Sequence, residues 1–164
     1  AVWNAHVLAF QFSVEDKDLV LPDHEDRGLG ALGSDRVELF FASSGDSNSP
    51  YHGAEMDPSG RIFDYSATHY REIDPGWSFS TLYFSGRIQE GGYQVSGQIK
   101  LDELRGLKLL NENEMTVGVF RAEFSHDPQG GVSEDWISWV DPETVKPDFH
   151  VPSAFGRFHL INCA

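Results

Sequence analysis

Apolar and polar residues alternate along most of the chain. Leu8, Phe10, Phe12 and Val14 are separated by Ala9, Gln11 and Ser13, the period of two expected of a strand with one buried face. Residues 36 to 43 repeat the pattern, with Val37, Leu39 and Phe41 on one face and Glu38 and Phe40 on the other, because successive side chains point to opposite sides of a strand. A carboxylate beside an aromatic ring on the second face marks that face as one with chemistry to offer. Further strands are expected at 51–57, 61–66, 80–89, 92–99, 114–124, 135–140 and 155–161. Asp57-Pro58-Ser59-Gly60 supplies a tight turn, and Glu90-Gly91-Gly92 supplies the positive-φ positions that a hairpin between Ile88 and Tyr93 requires. Only 101–110 has a helical pattern, and Gly106 limits it to a turn or two.

Eight or nine strands with so little helix predict an all-β chain, an antiparallel β-sandwich of two sheets in the immunoglobulin-like or jelly-roll-like manner, carrying one short helical turn. The 164 residues, 40% of them hydrophobic, suit one domain spanning 1–164 with one core. Loops rich in Gly, Pro, Asp and Ser are expected at 15–35, 42–50, 66–79, 125–134 and 141–154. On a sandwich, binding residues usually lie on such loops or on one open sheet face.

Charge narrows the partners. Lys and Arg total 12 against 26 Asp and Glu, a formal charge of −14, so the summed field repels nucleic acid and anionic membrane surfaces. No apolar run reaches the roughly 18 residues that span a bilayer, and no secretory leader opens the chain, which predicts a soluble protein. Ala1 in first position fits a processed secretory start, an artificial boundary or an incomplete N-terminus alike. The single cysteine, Cys163, allows neither an intrachain disulfide nor a Cys-rich zinc site.

The nucleophile elbow, the phosphate-binding loop, the H-E-x-x-H zinc motif and the dinucleotide fingerprint are all missing. Glycoside hydrolysis needs only two carboxylates roughly 5 to 10 Å apart, which Glu38 and Glu55 on neighbouring strands would offer; among 26 acids, though, such pairs also arise by chance. The seven histidines show no close metal-ligand spacing, so convergence of His126, His150 and His159 would have to come from the fold. The acid groups Asp16/Asp18, Asp23/Glu25/Asp26 and Asp46 with Asn48 offer hard oxygen ligands for calcium, without the full spacing of an EF-hand; the competing reading is a solvated acidic surface. Near the C-terminus, Trp136, Trp139 and Phe149 surround a Pro-containing loop. Aromatic faces flanked by carboxylates and amides suit the alternating C–H and O–H surfaces of a sugar.

Three blocks then converge. GSDRVELFF (33–41), YHGAEMDPSGRIFDY (51–65) and WISWVDPETVKPDFHVPSAFGRFHLI (136–161) resemble, in order and spacing, the family nine carbohydrate-binding modules. The resemblance implies a β-sandwich that binds saccharides without catalysis, attached to or associated with glycoside hydrolases in polysaccharide breakdown by secreted bacterial proteins, in some members with structural calcium. It places the protein outside the cell or in the periplasm. The family clamps a sugar ring between two tryptophans. The second corresponds to Phe149, and the first, three residues before Asp35, to Leu32. The sugar-contacting acid corresponds to Glu38, and the basic residue on the next strand falls on Glu55, which reverses the charge and leaves Arg121 to supply the cation.

The expected site is therefore Glu38, Glu55, Arg121, Trp139, Phe149 and His150, with no catalytic residue and no cofactor beyond structural calcium. Its ligands are neutral or cationic oligosaccharides or polysaccharides, because an acidic site disfavours uronates. Phe149→Ala is expected to weaken sugar binding without unfolding the domain. Two rival readings are a glycoside hydrolase acting on O-glycosyl bonds and a haem- or metal-binding relative of the same sandwich, for which Met56 and Met115, the only methionines, both fall in core-like strand patterns.

Overall fold

The structure is a computed structural model and describes residues 1–43 and 49–161. The first strands, β1 (Val2–Trp3) and β2 (Val7–Glu15), are followed by a short helix, α1 (Arg27–Leu32). Then come β3 (Arg36–Ala42), β4 (Tyr51–Met56), β5 (Ile62–Thr68) and β6 (Glu72–Asp74) as a meander. A hairpin, β7 (Tyr83–Gln89) and β8 (Gly92–Lys100), leads into α2 (Leu101–Gly106) and β9 (Leu110–Asn111). The chain continues through the 13-residue β10 (Glu114–His126), β11 (Val132–Ser138), a 3-10 turn at Pro152–Ala154 and β12 (Gly156–His159).

These strands form two antiparallel sheets, one in the order β1-β2-β8-β7 and one in the order β11-β10-β3-β4-β5-β6, with β9 and β12 added to the start of β10. This is the expected all-β sandwich. Between the sheets lie Leu8, Phe10, Tyr93, Val95 and Ile99 from the first and Val37, Leu39, Phe41, Met56, Met115 and Val117 from the second. Both methionines are thus core residues.

The turns follow the sequence. Gln89 pairs with Gly92, so Glu90-Gly91 is the hairpin loop and Gly91 takes φ +77°. In the β4–β5 turn the Asp57 carboxylate, fully buried, accepts from the backbone N–H groups of Ser59 and Arg61 and binds the Arg61 guanidinium at 2.5 Å. Four short elements depart from expectation. The 15–35 stretch is not all loop: Asp26 caps α1 by accepting from the Leu29 N–H at 2.9 Å, although two glycines within Arg27–Leu32 mask the helical pattern. The 66–79 stretch contains β6, and β1 and β9 are strands of two residues, too short for any periodicity to show.

The outer face of the second sheet is itself apolar. Phe40, Tyr51, Tyr65 and Phe120 form a second core there, which the C-terminal segment covers with Phe149, Ala154 and Phe155. The aromatic and acidic face noted in the sequence of β3 is therefore roofed by the last loop, and the site lies at the edge of that roof.

Candidate functional site

Strand parity assembles the site. Register places Phe120, Glu38, Glu55 and Phe63 in one row across four strands, and Arg36, two residues before Glu38, shares their face. Arg36 Nε lies 2.8 Å from Glu55 Oε2 and 2.9 Å from Glu38 Oε1. Its Nη1 donates to the Leu32 carbonyl at the end of α1 at 2.8 Å. Tyr65 donates its hydroxyl hydrogen to Glu55 Oε1 at 3.2 Å. The rings of Trp136 and Phe124 lie 5.6 and 5.9 Å from the guanidinium carbon, within cation–π range.

This trio forms the floor of an open trough of about 490 Å³, within the size range of small-molecule sites. Leu32 and Phe63 line it together with Pro147, Phe149 and His150 of the last loop. Trp136 on β11 and Ile73 with Arg71 near β6 complete the wall from the two margins of the sheet. Trp136 is 38% exposed, whereas Phe149 is only 5% exposed and stacks on Phe120 at 4.1 Å and 11°. Of the aromatic rings that line the trough, Trp136 is thus the most exposed.

Burial decides the protonation of the floor. Glu38 and Glu55 are both pushed above the usual carboxylate range, chiefly by desolvation, and the negative Glu55 raises Glu38 further. Arg36 pulls both back. Glu55 has the better partners, accepting from Arg36 and Tyr65, while Glu38 meets the same Arg36 Nε as an ion-pair contact. Burial therefore weighs more heavily against the charge of Glu38, while Glu55 keeps the ion pair with Arg36. At the wall, burial and the nearby Arg71 lower His150 to about 4, and burial raises Tyr51 to about 12. A 2.8 Å hydrogen bond joins this neutral imidazole to the protonated phenol. Asp148 steadies the rim by accepting from Tyr70, from Arg71 at 3.2 Å and from the His150 N–H at 2.9 Å.

Of the six residues expected from the sequence, Glu38, Glu55, Phe149 and His150 meet at this trough. Arg121 does not. It occupies an odd position on β10, beside the even Phe120 that pairs with Glu38, and so faces the other sheet over Tyr93. The cation comes from Arg36 instead, which the alternation Arg36-Glu38-Phe40 already placed on the right face. Trp139 is 53% exposed but packs edge-on to Phe158 at 5.3 Å, outside the trough. His126 and His159 lie at opposite ends of β10 and do not converge with His150.

A hydrolytic role for the two glutamates does not fit, because both carboxylates are buried and held by one guanidinium nitrogen, with no room for a glycosidic bond between them. Some members of the acid clusters have structural roles. Asp18 binds His126, Asp26 caps α1, and Asp46 and Asn48 lie outside the described residues. Asp16, Asp35 and Glu123 bring carboxylate oxygens within 4.8 Å of one another. The Arg121 guanidinium already contacts all three, and Asp35 accepts from the Val20 and Phe124 backbone N–H groups. That set is built around a guanidinium and does not suit a calcium ion, which takes six to eight oxygens.

Residues 1–163 match the family described as carbohydrate family 9 binding domain-like. A crystal structure of a protein from Bacteroides uniformis proposed to bind carbohydrate is similar at a TM-score of 0.64 and 15% identity, covering 92% of this chain and 71% of that one. A carbohydrate binding module of family 9 from Caldicellulosiruptor kristjanssonii, in complex with cellotriose, is similar at a TM-score of 0.61 and 18% identity, covering 99% and 73%. The same kind of module in complex with glucose gives 0.59 and 18%, covering 99% and 74%. No curated protein matches the chain.

Proposed function

Since the chain belongs to the carbohydrate family 9 binding domain-like family, a family of non-catalytic saccharide binders, we propose that the trough is where this protein takes its sugar. The observation that carries this reading is the pairing of an open tryptophan face with a fixed polar floor. A sugar ring laid against Trp136 buries its C–H face on the indole. Its hydroxyl groups then meet donors and acceptors already oriented by the Arg36–Glu38–Glu55 network, so little ordering is left to oppose binding. Leu32, where the family has its first tryptophan, lines the trough from the end of α1 without stacking power, and Trp136 takes over from β11.

The floor sets two carboxyl groups against the single Arg36 guanidinium, so it offers no spare cation to a uronate and favours neutral saccharides. The related module from Caldicellulosiruptor kristjanssonii is solved with cellotriose and with glucose, and these are the ligands to try first. The same reading makes the protein an accessory module acting outside the cytoplasm, alongside an attached or associated glycoside hydrolase; its support is the family resemblance. Titration calorimetry with cellotriose is the test. Saturable heat that falls at least fivefold in affinity in Trp136→Ala, about 1 kcal/mol, with an unchanged circular dichroism spectrum, bears the reading out. Equal affinity in the variant removes Trp136 from the site, and no heat with any neutral oligosaccharide overturns the reading.

A further inference from the structure

The outer face of the β1-β2-β8-β7 sheet lies on the side of the sandwich opposite the trough. Register sets its side chains in order. Ser85, Ser96 and Gln11 form a row across three strands, Gln94 and Gln98 flank Ser96 along β8, and Tyr83 stands opposite Gln98. With strands about 4.8 Å apart and same-face residues roughly 7 Å apart along each, the result is a level grid of amides and hydroxyls.

Three properties set this grid apart from an ordinary wet surface. Its polar groups are free: among the described residues, Ser85, Gln94, Ser96, Gln98 and Tyr83 make no side-chain hydrogen bond, and Gln11 makes one, to Ser13 at 3.3 Å. Its charge is small: Glu15, Arg87 and Lys100 share the face and come to a single positive charge, in a chain of net −14. It also carries an aromatic ring, since Tyr83 is 68% exposed. Amides and hydroxyls both donate and accept, as sugar hydroxyls do, and a tyrosine face suits the C–H side of a pyranose. With a single net positive charge, the face has little field to draw a charged polymer.

We propose that this face is a second saccharide-contacting surface, which takes a neutral polysaccharide chain laid flat across the strands, so that the domain grips two chains or two stretches of one. Grip at two places raises retention on a polymer well beyond either contact alone, while a short oligosaccharide still reads only the trough.

The experiment separates the two surfaces. Binding of the protein to microcrystalline cellulose and insoluble xylan is measured by depletion in the presence of saturating cellotriose. The parent protein is expected to stay on at least one polymer, and the variant Tyr83→Ala/Gln94→Ala/Gln98→Ala to lose about tenfold in affinity under the same conditions. These side chains carry no contacts the fold depends on, and an unchanged melting temperature verifies that. Release of the parent by cellotriose, equal retention of the variant, or failure of the parent to bind either polymer overturns the proposal. Cellotriose heat in calorimetry reports on the trough independently, so the two readings fall separately.

Discussion

Single side chains in this protein change role with strand parity. Glu38 and Phe40 share the outer face, as their spacing in the sequence indicates, and Arg36 belongs with them by the same rule. Arg121 sits one residue from Phe120 and is therefore on the wrong side of the sheet. Parity along one strand is visible in a sequence, but parity between strands needs the register, which a sequence does not display. Phe149 shows a second gap: it reaches the expected place but as a core residue. Phe149→Ala should therefore cost roughly 3 kcal/mol of stability, the usual penalty for emptying a buried phenylalanine site, read as a lower urea midpoint; unchanged stability would show that the ring only lines the trough. Glu38 predicts a pH effect. Its folded-state pKa is raised by burial, so its stabilising contribution is complete below the usual glutamate range and is lost as pH rises. Glu38→Gln should flatten the alkaline slope of stability and make the variant more stable than the parent at pH 9, as measured by urea denaturation.

Elements are fixed by a few contacts between neighbours. Glu103 on α2 accepts from the backbone N–H and the hydroxyl of both Ser80 and Thr81, tying the entry of β7 to the helix. Those bonds outweigh partial burial and lower its pKa, so this contribution is present above the usual glutamate range and disappears as pH falls through it. Glu103→Ala should cost about 2 kcal/mol and weaken the acid slope, measured as melting temperature between pH 3 and 6. Gly86 on β7 marks where the sheets touch: a Cβ there would lie 2.2 Å from the Pro58 carbonyl oxygen in the β4–β5 turn. Backbone cannot step aside cheaply, so Gly86→Ala should destabilise by about 2 to 3 kcal/mol, checked by chemical denaturation. The long strands and both tight turns were legible because alternation and turn residues are local signals. α1 was not, since its capping aspartate precedes a glycine-broken run and its stability comes from packing on β5.

At the scale of the molecule, charge and topology matter most. A net −14 makes the folded state repel itself, and screening shortens from about 30 Å at 0.01 M salt to about 3 Å at 1 M. The melting temperature should therefore rise with sodium chloride from 0.01 to 0.5 M; a flat response would mean that the acids are already balanced locally, as Asp16 and Asp35 are by Arg121. The sheets are assembled from local pieces, the β3 to β6 meander and the β7–β8 and β10–β11 hairpins. Among the described residues, only two pairings, β2 with β8 and β3 with β10, stitch early chain to late chain. During synthesis the meander can close while β3, buried at all seven positions in the finished protein, still waits for β10 about 80 residues downstream. Until that strand leaves the ribosome, β3 is an unpaired, apolar edge, the kind of surface that templates aggregation. The nascent chain is thus at its stickiest between the emergence of β6 and that of β10, and chaperone occupancy should peak there and fall once β10 has emerged.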